Sequence, residues 1–357
     1  MYITNQYVLD IIAYISYDFT KFKQKRKDMI LNRNKTLVLS LATLAILTNA
    51  NAKSVQIPKN IMVKNITQNP EGIEYDKSDN TFLLSSLNAQ PIIKIKPDGT
   101  FVPFTKGEQS PLSTAGLQID YKNNRLLVAG FNGTELMDND PATKGTAYLR
   151  IYDLKTGKIK QDINLSFLVP QAKAYFANDI AVDDAGNVYI SDWYANVIYK
   201  VDLNGKATLF WENDLSIAKG GPNGLDVHPD GYLVVSLLNV NKKGLYENYA
   251  LVKIPLDTPR KSNRVEIENK GFAGFDGMVI TKNGNIVGIT NDQKSAGGNR
   301  LIELSSDSNW NNAKIINSKA IPASTTVAIT PENENYVIEQ DFSNSFKKDW
   351  KINQIKF

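Results

Sequence analysis

The chain has 357 residues, 42% of them hydrophobic and 22% charged, a folded globular composition that excludes wholesale disorder and collagen-like repeats. With no cysteine and a single histidine, His228, it has no disulfides, zinc ribbons, iron–sulfur clusters, thiol nucleophiles or His-rich metal sites. Chemistry is left to carboxylates, amides, hydroxyls and a hard metal ion. The formal charge of +4 does not point to nucleic acid: residues 1–52 hold seven of the 41 basic and three of the 37 acidic side chains, leaving 34 of each in 53–357.

Taken in chain order, the first feature begins at Met29. Arg33 and Lys35 form a positive stretch, Leu37 to Leu47 an apolar run of 11 residues, and Ala50, Asn51 and Ala52 a small-x-small cleavage pattern. The run is shorter than the roughly 20 apolar residues of a spanning helix. The expectation is a signal peptide over 29–52, cut between Ala52 and Lys53, behind an upstream extension over 1–28, with translation starting at Met29. The mature chain, 53–357, is then one periplasmic or secreted domain, disulfide-free, monomeric and without a stable membrane span.

From residue 71 onward six segments share one grammar: an apolar strand, a polar turn, a second strand, a variable stretch and a third strand. The first strands open at Glu71, Ala115, Asn178, Asn223, Asp276 and Thr325, separated by 44, 63, 45, 53 and 49 residues. Strands rich in Val, Ile, Leu and Tyr, punctuated by turns such as Asp184-Ala-Gly-Asn and Pro229-Asp-Gly, read as antiparallel meanders. A four-stranded unit repeated about every 50 residues predicts an all-β fold, a six-bladed β-propeller. The last repeat supplies three strands, so Ile57 to Ile66 is expected to close the ring as a fourth.

In that fold the opening residues of the repeats form a ring around the central channel. Glu71, Asn178, Asn223 and Asp276 carry oxygen donors; two carboxylates and two amides suit a hard divalent cation, calcium above all. An Asn or Asp before Gly is also a common turn residue. His228 lies in a His-Pro-Asp-Gly turn and is read as structural.

Pro70-Glu71-Gly72, Asn178-Asp179, Asn223-Gly224-Leu225-Asp226 and Phe275-Asp276-Gly277-Met278 together resemble the SMP-30/gluconolactonase/LRE-like family over nearly all of residues 69–357. That resemblance implies a six-bladed propeller with one divalent metal that hydrolyses lactones or related esters. It implies Glu71, Asn223 and Asp276 as direct ligands and Asn178 near the metal and substrate. The chain departs from the family pattern in two places. Ile73 and Tyr75 follow the first motif where Pro and Trp are usual, and Phe176 stands where sugar-lactone members often carry Arg. The second departure favours a more apolar substrate than a sugar lactone.

On this reading a calcium ion acts as Lewis acid on a lactone carbonyl, Asp276 orients or deprotonates the attacking water, and Asn178 assists. Phe131, Phe176, Trp193, Tyr194 and Tyr246 are expected to wall the substrate pocket. The alternatives are a non-catalytic propeller scaffold with a structural calcium, and a strictosidine synthase-like enzyme. The partner is a small lactone or ester, with no nucleic acid.

Overall fold

The structure is a computed structural model that describes residues 18, 21, 23–29, 56–105, 113–132, 145–241, 246–269, 271–292, 298–340 and 348–357. It divides into two units, Met1–Gln56 and Ile57–Phe357. In the first, Asp18, Lys21 and residues 23–29 are helical and exposed. Apart from Met29, the expected signal segment and its cleavage point lie outside the described residues. Among the described residues no helix is long and apolar enough to cross a membrane.

The second unit is all-β. After β1 (Asn60–Val63) come β2 to β5 (Ile73–Asp76, Thr81–Leu84, Ile93–Ile95, Phe101–Pro103) and β6 to β9 (Ser113–Asp120, Arg125–Asn132, Thr146–Asp153, Ile159–Asn164). Next are β10 to β13 (Ala177–Val182, Val188–Asp192, Val197–Val201, Ala207–Glu212) and β14 to β17 (Gly221–His228, Tyr232–Val240, Tyr246–Pro255, Asn263–Ile267). The chain ends with β18 to β21 (Met278–Ile280, Ile286–Asp292, Gly298–Ser305, Asn312–Ala320) and β22 to β24 (Val327–Ile329, Asn335–Ile338, Trp350–Ile355). Each set is an antiparallel meander in sequence order. The first hairpin of every set turns through one left-handed residue: Asn80, Asn124, Gly186, Gly231, Gly284 or Asn333. Asn and Gly are the residues that adopt this conformation at least cost.

β1 pairs with β24, Asn60 opposite Asn353 and Val63 opposite Trp350, so the N-terminal strand completes the last sheet. The sheets are otherwise not all separate. Four are four-stranded, whereas the β14–β17 and β18–β21 meanders merge into one eight-stranded sheet. The join is a short parallel pairing of their outer strands, Glu266 opposite Asn312 and Ile267 opposite Ala313, extended by Glu268 N–H donating to Ala313 O at 2.9 Å. The repeat pattern could not show it, because outer strands alternate weakly and their pairing depends on how far two neighbours splay.

Alternation along the strands gives every sheet two apolar faces. In β3, Phe82 and Leu84 pack with Ile61, Tyr336 and Trp350 from the last sheet, while Leu83 points the other way, to Leu117 and Leu126 of the next. Four further clusters fill the remaining gaps, the last joining Val287 and Ile289 to Val327 and Val337. Successive meanders are thus packed face to face, and the first also packs on the last. The result is a propeller-like arrangement.

Inner strands are also latched by carboxylates. Glu74 accepts from Ile119 N–H at 3.4 Å, Asp179 from Leu225 N–H at 3.0 Å and Asp226 from Ile280 N–H at 2.7 Å, each bond reaching the following meander. Burial and the neighbouring Asp226, Asp179 and Asp76 charges push Glu74 up to about 8.

Candidate functional site

Three of the inner strands break register where the sequence placed the ring. β6 bulges between Thr114 and Leu117, β10 between Ala177 and Ile180, and β14 between Pro222 and Leu225. A bulge re-aims a side chain, and the residues inside these three include Ala115, Asn178 and Asn223. N–H groups just after ring residues are taken up by serines in or just after second strands: Gly72 N–H donates to Ser85 Oγ at 2.7 Å and Asp179 N–H to Ser191 Oγ at 3.0 Å.

The glycines after the ring residues serve the same geometry. A Cβ on Gly72 would stand 2.3 Å from Ala115 O, one on Gly116 2.5 Å from Asn178 O, and one on Gly224 2.2 Å from Asp276 O. Each of these inner strands therefore approaches the ring residue of a neighbour through a bare glycine. These glycines lie in or beside strands at close approach, not in turns. We expect Gly224→Ala to destabilise the fold by about 1–3 kcal/mol, because the clash is with backbone that cannot rotate away. Thermal or denaturant unfolding measures this, and an unchanged midpoint would show that the strands can separate.

Glu71, Asn178, Asn223, Asp276 and Thr325 line one small cavity of about 30 Å³, together with Asp179 and strand backbone. Asn178 Nδ2 donates to Asn223 Oδ1, Asn223 hydrogen-bonds to Asp276, and Tyr246 O–H donates to Asp276 Oδ2 at 2.9 Å. On the opposite side Gln340 Nε2 donates to Glu71 Oε2 at 3.3 Å, to Thr325 Oγ1 at 2.8 Å and to Pro70 O. Thr325 in turn donates to Glu71 O at 2.8 Å, so its hydroxyl serves the backbone of the ring. Ala115 contributes no donor.

No lysine or arginine pairs with Glu71 or Asp276 among the described residues. Burial, then the neighbouring Asp276 charge, pushes Glu71 up to about 8. Burial pushes Asp276 up to about 6, against the relief from Tyr246 and Asn223. Among the described residues no three His, Cys, Asp or Glu side chains group as a metal site. The candidate donor set here is instead the carboxylates of Glu71 and Asp276 and the two amides, since the third carboxylate of the cavity, Asp179, accepts from Ile180 and Leu225 N–H. Two buried carboxylates with only neutral donors around them among the described residues fit a divalent cation, whose positive charge would favour their ionised forms.

The aromatic residues divide into three groups. Phe131 is fully buried, its ring stacked on Phe176 at 4.0 Å, and both belong to the packing between the second and third meanders. Among the described residues these two rings take part in the packing between sheets and not in the polar cavity at the ring. Trp193 and Tyr194 meet Phe176 edge-on at 5.8 and 5.5 Å, with Trp193 Nε1 donating to Leu238 O at 2.8 Å and Tyr194 exposed. Tyr246 lies on Asp276, as part of the polar cluster. His228 caps its turn, Nδ1 accepting from Asp230 N–H at 3.2 Å and the ring stacked on Tyr232 at 4.5 Å. Gln340 escaped the sequence reading, since it lies just after β23, outside the repeated inner-strand register.

The chain resembles several solved structures in fold. The major allergen Mala s 1 of Malassezia sympodialis matches with a TM-score of 0.65 at 19% identity, over 84% of this chain and 97% of that one. A gluconolactonase of Xanthomonas campestris gives 0.54 at 12%, over 83% and 89%. The calcium-binding protein regucalcin of Agrobacterium tumefaciens gives 0.54 at 20%, over 80% and 90%. At these identities the likeness is one of fold. In sequence, no family model and no curated protein matches the chain.

Proposed function

We propose that the chain is an exported, six-bladed propeller hydrolase that opens a lactone or related ester at a divalent-cation site, with calcium the favoured ion. In this reading the eight-stranded sheet is two blades joined at their outer edge. The observation that carries the proposal is the pairing of two buried carboxylates, Glu71 and Asp276, with two amides and, among the described residues, no cationic side chain, around one small cavity. Neighbours that include a gluconolactonase and a calcium-binding regucalcin support it at the level of fold.

Glu71, Asn223 and Asp276 would hold the ion, with Asn178 beside them. A bound divalent cation supplies Lewis-acid polarisation of an ester carbonyl. The chain's own residues do the rest. Asp276 orients an attacking water and accepts its proton. Asn178 carries an amide within the same cavity for a substrate oxygen. Trp193 and Tyr194 offer flat apolar surface for the body of the substrate, and no guanidinium stands at Phe176 to hold sugar hydroxyls.

The test is a panel of lactones assayed with and without chelator. Aliphatic or aromatic lactones should be turned over faster than gluconolactone, and chelation should abolish turnover until calcium is restored. Calcium binding without turnover of any lactone would leave a binding scaffold in place of an enzyme. Turnover indifferent to chelation would remove the cation from the reaction.

A further inference from the structure

The two candidate ligand carboxylates are held in matching ways by residues outside the ring. Tyr246 opens β16, the third strand of its meander, and its O–H donates to Asp276 Oδ2 at 2.9 Å. Gln340 follows β23, a second strand, and its Nε2 donates to Glu71 Oε2 at 3.3 Å. Both donors, a phenol and a carboxamide, are neutral groups by their chemistry. Each therefore fixes one oxygen of a carboxylate without cancelling its charge. A lysine or arginine would have held the same oxygen and neutralised the group.

Gln340 carries a second sign of this role. Its Nε2 faces three acceptors, Pro70 O, Thr325 Oγ1 and Glu71 Oε2, which sets the orientation of the amide. Its Oε1 is left buried without a hydrogen-bond partner, and Gln340 is only 5% exposed. Leaving a buried acceptor unpaired costs about 1–3 kcal/mol. A residue whose task was only to fill space between sheets would be better as methionine or leucine. Holding Glu71 and Thr325 in place explains why the amide is kept.

We propose that Tyr246 and Gln340 are paired positioning residues, each turning one carboxylate so that Asp276 and Glu71 meet a divalent cation in fixed orientation. The inference rests on the cation reading of the site. It adds that part of the site's affinity resides in two neutral donors beyond the ligands.

The test is calcium titration by calorimetry on the full chain and on Tyr246→Phe and Gln340→Met, with melting of the cation-free forms alongside. Partners of ligand side chains typically contribute 10- to 100-fold in metal affinity. We expect each variant to bind calcium about 10-fold more weakly, while the cation-free forms melt close to the parent. Tyr246→Phe keeps its ring, and Gln340→Asn, which retains an amide too short to reach Glu71, replaces Gln340→Met if that variant fails to fold. Parent binding with equally tight binding by the variants overturns this inference alone. A parent chain that binds no calcium overturns the cation reading and this inference with it. Weakened binding that merely follows a collapse in cation-free melting would assign both residues to folding and also overturn it.

Discussion

Asp276→Asn should lower lactone turnover by about 10²–10⁴ while weakening calcium binding only modestly. Asparagine keeps the shape of the side chain and an oxygen for Tyr246 O–H, which donates to Oδ2 at 2.9 Å in the parent. It removes the negative charge and the ability to accept a proton from water. The backbone contact that Gly224 makes with Asp276 O is untouched, so the fold should survive. Glu71→Gln gives the contrast: its loss should act through cation affinity, and excess calcium should restore much of its activity. Turnover of Asp276→Asn within twofold of the parent would remove Asp276 from the chemistry and leave it a ligand at most.

The second large effect concerns stability and pH. Glu74 is raised to about 8 in the folded chain from its ordinary value of 4.5, mainly by burial. Between these two values the folded state binds a proton that the unfolded state has released. This contribution to stability is full below about 4.5 and falls as pH rises towards 8. Cation-free protein should therefore melt higher at pH 5 than at pH 8. Glu74→Gln keeps an oxygen for Ile119 N–H and cannot ionise, so it should match the parent at pH 5 and exceed it at pH 8 by at least about 2 °C. Parallel melting curves for parent and variant across that range would show that Glu74 ionises freely in the folded chain.

Much of the arrangement can be read from the sequence because its cause is local. The meander turns depend on Asn or Gly at one left-handed position, and each is visible as Asn80, Asn124, Gly186, Gly231, Gly284 or Asn333. The ring residues stand at one repeat position because each inner strand must pass its neighbour at the same height, through glycines such as Gly72 and Gly224. Glu71, Asn178, Asn223 and Asp276 could therefore be named together before their cavity was seen. The aromatics were less legible. Phe131, Phe176, Trp193 and Tyr194 are equally apolar in sequence, and only depth between the sheets separates the buried pair from the exposed Tyr194.

By itself the sequence determined the strand periodicity, the repeat, the closing role of residues 57–66 and the four oxygen donors at one register. These follow from alternation, turn chemistry and spacing, which act over a few residues. Tertiary structure decided what depends on distance between segments far apart in the chain. The parallel join of β17 to β21 depends on how two outer strands lean together. Tyr246 reaches Asp276 across 30 residues, and Gln340 reaches Glu71 across 269. Neither contact leaves a mark in local sequence, because a side chain's partner is fixed by where the ring closes rather than by its neighbours along the chain.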